Sequence, residues 1–301
     1  MASDAARPAK SHRWNFELKM MLPALIVLAA ISIVPFFYLI YMTLNKISLV
    51  GGTGISPKWL GLQNWSRMFT DGEVGAGWIT MVIFFVATVG LEMLLGIAIA
   101  LLVHEMIWGR NITLSILLIP MFVAPVIVGL LGRFMVNPTY GMYAWVLRST
   151  HIFTGNILGG QYSAFIAVAL MDVWEWTPLI VLITLAGLVS VPDAVIEAAR
   201  VDGAGYWQRL RHVVGPSISG IVLVALLIRS MDALRYFDVI WQSTSGGPAN
   251  ATKIIPLRLY EVAFQFLNLG YAATIGIVML ALSIAIAMLF TGILRRRGLI
   301  G

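Results

Sequence analysis

Apolar residues in this chain fall into long unbroken runs rather than into stripes. Six stretches, at about 20–44, 78–103, 113–136, 162–188, 217–240 and 270–294, reach the roughly 20 mostly apolar residues that cross a bilayer as a helix. The pattern predicts six transmembrane helices and an all-α polytopic membrane protein. The first run follows Arg7, Lys10, Arg13 and Lys19, which would suit the basic start of a signal peptide. It is about 25 residues long, however, against roughly 7–15 in a signal peptide, and no small-residue cleavage site follows it. It reads as a retained first helix, kinked at Pro35. The loop after it, about 45–77, is rich in Gly and ends in an amphipathic piece around Trp59, Leu62, Trp65 and Phe69. That piece is expected to be a lid or an interfacial helix with Trp at the headgroups. No internal repeat is visible, nor the matched broken helices of an inverted-repeat secondary transporter.

Composition agrees with this reading. Of 301 residues, 59% are hydrophobic and 11% charged, and mean hydropathy is +0.89. That is more apolar surface than a soluble core can bury, and the opposite of a disordered chain. Twenty Lys and Arg against fourteen Asp and Glu leave a net charge of +6. In a soluble protein this would hint at nucleic acid; in a membrane protein the positive-inside rule accounts for it, and no nucleic-acid partner is expected. With the N-terminus inside, eleven cations face the cytoplasm: Arg7, Lys10, Arg13, Lys19, Arg110, Arg200, Arg209, Arg211, Arg295, Arg296 and Arg297. Seven lie outside, namely Lys46, Lys58, Arg67, Arg133, Arg148, Lys253 and Arg258, while Arg229 and Arg235 fall inside a span. Both termini are therefore expected in the cytoplasm. The chain has no Cys, its four His stand far apart, and no phosphate-binding G-x-x-x-x-G-K-[ST] occurs. No catalytic or metal-ligating constellation is present, so no enzyme is expected.

The segment between the fourth and fifth spans, Val191 to Gly220, reads VPDAVIEAARVDGAGYWQRLRHVVGPSISG. Asp193 stands as an N-cap behind Pro192, and Ala194 to Arg200 is a run of helix formers. Gly203 and Gly205 break it, and Tyr206 to Val214 predicts a second short helix. A helix, a glycine turn and a helix are expected on the inner side, with Val195, Ile196 and Ala199 as apolar surface for lipid or a partner's groove. These residues resemble the EAA motif of ATP-binding-cassette importer permeases, E-A-A-x(3)-G-x(9)-I-x-L-P. Glu197, Ala198 and Ala199 match, and Gly203 follows after three residues, within the family's Asp-Gly-Ala form at Asp202, Gly203 and Ala204. Nine residues later come Val213, Val214, Gly215 and Pro216, with Val213 in place of Ile and Gly215 in place of Leu.

A second resemblance narrows the family. The segment TSGGPANAT, Thr244 to Thr252, followed by Tyr260, Ala263, Phe264 and Gly270-Tyr271, is similar to carbohydrate-importer permeases of the maltose and glycerol-phosphate type. So is Leu60-Gly61-Leu62-Gln63-Asn64-Trp65. The resemblance implies a type I importer permease (MetI-like) core at 78–294, with a coupling loop at 191–216. Residues 20–77 would be the first helix and outer loop, with cytoplasmic tails at 1–19 and 295–301. It implies a bacterial inner-membrane subunit that pairs with a second homologous permease and two ATPase subunits. An external solute-binding protein would deliver a sugar or sugar derivative. No cofactor is expected in this chain, since ATP and Mg would sit on the ATPase. Coupling would run through Glu197, Ala198, Ala199, Asp202, Gly203, Val213 and Pro216, as helix-in-groove recognition.

Charges inside spans are costly and usually face a cavity or a partner. Asp172, Glu175 and Trp176 share one face of the fourth span, and Arg229, Asp232 and Tyr236 one face of the fifth. The resemblance implies that the helices flanking the EAA-like loop line the sugar site, and with carboxylates for hydroxyls and an aromatic face for a sugar ring these six are the expected substrate pathway. Helix-local pairing of Arg229 with Asp232, and of Arg235 with Asp232 or Asp238, is the plain structural alternative. Glu92, a lone acid in the second span, is expected to be a structural hydrogen-bond partner. A rival function, proton-coupled secondary transport through Asp172, Glu175 and Asp232, fits the charges but leaves the EAA-like loop unexplained.

Overall fold

A computed structural model describes residues 11–48, 57–296 and 298; Arg7, Lys10 and Arg297 of the expected basic tails, and residues 49–56 of the first outer loop, lie outside the described residues. The first span is α1 (Ser11–Thr43), which continues as helix through Pro23 and Pro35. Two short strands, β1 (Asn45–Lys46) and β2 (Lys58–Trp59), pair antiparallel. The amphipathic piece is α2 (Gln63–Thr70), which buries Asn64 and Met68 and leaves Trp59, Leu62 and Phe69 exposed. Asn64 Nδ2 donates to the carbonyls of Thr43 (2.8 Å) and Asn45 (3.2 Å), pinning α2 to the end of α1.

The second span is α3 (Gly72–His104), capped by the Asp71 carboxylate, which accepts from the N–H groups of Glu73 and Val74. The third apolar run is bent. Its two halves, Arg110–Phe122 and Pro125–Met135, meet at 95°. The first half is α4 (Arg110–Leu118) and a 3₁₀ turn at Pro120–Phe122; the second is α5 (Pro125–Met135). Val123 and Ala124 are both extended, with Ala124 held so before Pro125, and the helix stops ahead of them and restarts at Pro125. A short α6 (Met142–Ser149) leads to the fourth span, α7 (Gln161–Val189). Then come α8 (Asp193–Val201) and α9 (Tyr206–Arg209), a π turn at Leu210–Val214, and α10 (Gly215–Ala233). The fifth span therefore starts lower and ends earlier than the expected 217–240, running as helix from Tyr206 to Ala233. After it stand α11 (Asp238–Ser243), α12 (Ile255–Tyr260), a second π turn at Glu261–Gln265, and the last span α13 (Leu269–Arg296). Among the described residues, five helices are long and apolar enough to cross a membrane, and the bent pair makes up to six.

The interior is layered. One apolar cluster, including Phe84, Val168, Ile240, Ile255 and Tyr271, fills one half of the bundle. A second, including Ala100, Val181, Leu185 and Ile218, fills the half nearer α8. Along α3, α7 and α10 the buried charges Glu92, Asp172 and Arg229 lie between the two. At the end of the bundle away from α8, Tyr271 Oη donates to Asp71 Oδ2 (2.8 Å). There Arg258 bridges Glu73 and Glu261, and Lys253 pairs with Glu261 (2.7 Å). Burial pushes the Asp71 carboxyl up, but the Tyr271 hydroxyl, the two N–H groups and the Arg258 charge together hold it below the ordinary carboxylate value.

Candidate functional site

The loop between α7 and α10 is built by its glycines. Pro192 is already extended and takes the N-cap place, so Asp193 is the first helical residue rather than the cap and makes no capping hydrogen bond. Its carboxylate still lies in the first turn, where the helix dipole favours it. At the other end Gly203 adopts φ +80°, which glycine tolerates without a Cβ penalty. Ala204 N–H then donates to Ala199 O (2.9 Å) and Gly203 N–H to Arg200 O (3.0 Å), the bond pair that closes a helix on a left-handed residue. The spacing from Ala199 to Gly203 is thus a helix stop. Beyond the turn, Gly205 N–H donates to Gln208 Oε1 (2.8 Å) and Arg209 Nη1 to Ala204 O (2.7 Å).

No residue of α8 is buried. Glu197, Ala198 and Asp202 face solvent, and Val195, Val201 (88% exposed) and Trp207 (76%) present apolar surface there. Ile196 is not part of that exposed surface; it packs inward on the cluster of Leu188, Val191 and Ile218, while Ala199 is half-buried. Val213 lies in the π turn, and Gly215 N–H closes that turn on Leu210 O. A Cβ at position 215 would stand 2.9 Å from the same oxygen, which explains a glycine where the resembled motif has Leu. Pro216 has no N–H to lose in the first turn of α10.

The second candidate site lies within the bundle. Arg229 of α10 has no exposed surface. Its Nε donates to Glu92 Oε2 (2.6 Å) and its Nη2 to Glu92 Oε1 (3.0 Å), reaching α3. Nη2 also donates to both carboxylate oxygens of Asp172 on α7 (2.6 and 2.7 Å), and Nη1 to Asp232 Oδ2 (3.2 Å) on its own helix. The guanidinium lies over the Trp176 ring, 5.4 Å from its centroid. One arginine therefore clamps three helices. Glu92 and Asp172 are fully buried, whereas the Asp232 side chain is 37% exposed. Around the clamp, Glu175 Oε2, Trp176 Nε1, Ser230 Oγ and Tyr236 Oη are buried with no hydrogen-bond partner among the described residues. Buried polar atoms normally have partners, so this layer is equipped to bind hydroxyls or water.

Of the six expected pathway residues, the fold joins Asp172, Arg229, Asp232 and Trp176 directly. Tyr236 lies beyond the end of α10 and stacks on Phe84 at 5.5 Å, and Glu175 is buried beside the cluster. The local pair Arg229–Asp232 forms, but Arg235 pairs with neither Asp232 nor Asp238 among the described residues. Because α10 stops at Ala233, these groups no longer share one helix. Glu92 is the partner that sequence reasoning set apart as a lone acid. The available signal was its depth in a neighbouring span, since a mid-membrane arginine needs a buried counter-charge.

Residues 92–298 match the family described as binding-protein-dependent transport system inner membrane component. The chain belongs to that family. Over 283 residues this permease is 35% identical to the trehalose/maltose transport system permease protein MalF of Thermococcus litoralis, covering 92% of this chain and 93% of that one. It is 30% identical to the sulfoquinovosyl glycerol transport system permease protein SmoG of Agrobacterium fabrum, covering 92% and 90%. Among solved structures it is similar to a chain of a bacterial alginate ABC transporter in complex with an alginate pentasaccharide-bound periplasmic protein. There the TM-score is 0.81, identity is 20%, and 94% of each chain is covered, a likeness of fold. Membership of a binding-protein-dependent system speaks against the proton-coupled reading.

Proposed function

We propose that this permease forms half of the translocation pathway of an ATP-driven importer for a sugar or sugar derivative. The observation that carries it is the single helical rod from Tyr206 to Ala233. At one end it joins the exposed α8 turn, and near the other it carries Arg229, so one continuous helical run, through the π turn at Leu210–Val214, links the loop to the intramembrane cluster. On this reading α8, with Glu197, Ala198, Val201 and the Asp202-Gly203 turn, enters a groove on one of two ATPase subunits that hold ATP and Mg. A second homologous permease supplies the other half of the pathway, and an external solute-binding protein delivers the substrate. Both termini are cytoplasmic, in the inner membrane of a bacterial cell, and residues 78–294 are the permease core.

The carbohydrate class is supported by relatives that carry trehalose, maltose and sulfoquinovosyl glycerol. It is supported also by the unpartnered polar atoms of Glu175, Trp176 and Tyr236 beside the Asp172–Arg229–Asp232 cluster. A neutral sugar or polyol fits best, because every Arg229 nitrogen is already committed to a carboxylate. The experiment is copurification of the ATPase, with ATP hydrolysis stimulated by the solute-binding protein. Glu197→Lys reverses a charge on the docking face, and Gly203→Pro demands a negative φ where the chain needs a positive one. Both variants are expected to insert normally and to lose ATPase association or stimulation; wild-type values for both would sink the docking assignment.

A further inference from the structure

At the end of the bundle that carries α8, the last turn of α3 and the loop after it share a groove with α8. The groove holds about 290 Å³, with His104, Glu105 and Ile107 on one wall and Asp193, Glu197 and Arg200 of α8 on the other. Glu105, Asp193, Glu197 and Arg200 form no ion pair among the described residues, and His104 Nδ1 is buried with no hydrogen-bond partner among them. A groove lined by unpaired charges and an open ring nitrogen faces water or a partner with polar groups of its own, not an acyl chain.

The loop that forms the first wall, Glu105 to Gly109, is a tight turn. Glu105 N–H donates to Leu101 O (3.3 Å) and Met106 N–H to Val103 O (3.2 Å), so the chain leaves α3 in a fixed direction. Gly109 takes φ +75°, and its carbonyl accepts from Thr113 N–H (2.9 Å) to start α4. Between these fixed ends stand Ile107 (91% exposed) and Trp108 (88%), two large apolar side chains left uncovered by the rest of the chain. Over its 33 residues α3 rises about 50 Å, against about 30 Å of hydrocarbon and about 40–45 Å with headgroups. It is long enough to carry its last turn, and the loop beyond it, out of the acyl chains, where an exposed Ile and Trp call for a protein surface.

We propose that the loop from Glu105 to Gly109 is a second docking point for the ATPase subunit that receives α8. Ile107 and Trp108 are apolar anchors on its surface, and the groove behind them takes one of its side chains, apolar along the stem and polar at the tip. This rests on the docking of α8 proposed above. Continuity selects the partner: whatever fills the groove touches Glu197 and Arg200 on one wall and Ile107 on the other. Trp is enriched among the residues that carry most of the energy of a protein interface. The rival occupants are lipid headgroups, with Trp108 as an ordinary interfacial ring, and the second permease.

The assembled transporter, with both permeases, the ATPase and its binding protein, is tested in membranes by photocrosslinking. The photoreactive residue p-benzoylphenylalanine is placed at Trp108 and, in a separate protein, at Val201 of α8. Both positions are expected to yield an adduct with the ATPase. An ATPase adduct from position 201, with position 108 yielding none or only a lipid or permease adduct, overturns the second contact and leaves the α8 docking standing. No ATPase adduct from either position overturns the contact together with the docking beneath it. In the detergent-purified complex, Ile107→Ser combined with Trp108→Ser is expected to weaken ATPase binding about tenfold or more. Both positions are exposed, so folding is not at stake, and Trp145→Ser, an exposed Trp elsewhere, should leave binding unchanged. Wild-type binding by the double variant overturns the anchoring role even where the adduct forms.

Discussion

Arg229 and its three acids are not interchangeable. Replacing Arg229 by Gln leaves Glu92 and Asp172 buried and facing one another without a cation, a loss of about 3–5 kcal/mol for a broken buried pair. Glu92→Gln keeps Asp172 and Asp232 on the guanidinium and should cost less, about 1–3 kcal/mol. Asp232→Asn, at a partly open side chain, should cost under about 1 kcal/mol. Thermal unfolding of the detergent-purified protein ranks the three; Arg229→Gln as stable as Asp232→Asn would show that the clamp does not hold the helices together. Sequence spacing offered Asp232 as a helix-local partner of Arg229 and Glu92 as a hydrogen-bond partner of some unnamed group. It could not join Glu92 to Arg229, because the two are 137 residues apart and only the packing of α3 against α7 and α10 brings them within 2.6 Å.

At the scale of elements, ends and breaks follow from local chemistry. The stop of α8 at Gly203 and the bend ahead of Pro125 both have their cause in residues visible in the chain. The six-span reading caught the first and straightened the second, since apolar length alone does not register a residue held extended before a proline. The start of α3 depends on a tertiary partner as well. Asp71 caps it while accepting from Tyr271 of α13. Its folded pKa is depressed, so its contribution is complete above the ordinary carboxylate value and is lost as pH falls through the lower folded value. The difference in unfolding temperature between wild type and Asp71→Ala should therefore be flat from about pH 8 to about pH 5 and shrink only in stronger acid. A difference that already collapses near pH 6 would contradict the hydrogen-bonded carboxylate.

At the scale of the molecule, orientation joins the elements into a transporter. The charge bias and the helix count predict that the α8 turn is cytoplasmic and the Thr244–Thr252 loop is on the opposite side. The chain has no Cys, so a single one at Ser245 reports cleanly. It should react with an impermeant maleimide in intact cells that lack an outer-membrane barrier, whereas one at Arg200 should react only after permeabilisation. The reverse pattern would invert the topology, and with it the side on which an ATPase could dock.

The family and the membrane class were legible from the residues alone, because long apolar runs and a short loop motif with fixed glycine spacing are local properties of a chain. The helix–turn–helix between α7 and α10 was legible for the same reason: Ala199, Gly203 and Pro216 act within a few residues of themselves. What only the tertiary structure decided is non-local. Packing chose Glu92 as the partner of Arg229, turned Ile196 inward, and separated Arg235 from Asp238 by ending α10 at Ala233. It also gathered Phe237, Trp241, Tyr260 and Phe264 into one aromatic group. A buried charge can be satisfied by any counter-charge at its depth, and an aromatic ring can pack on any neighbour, so composition and spacing leave these choices open until the helices are assembled.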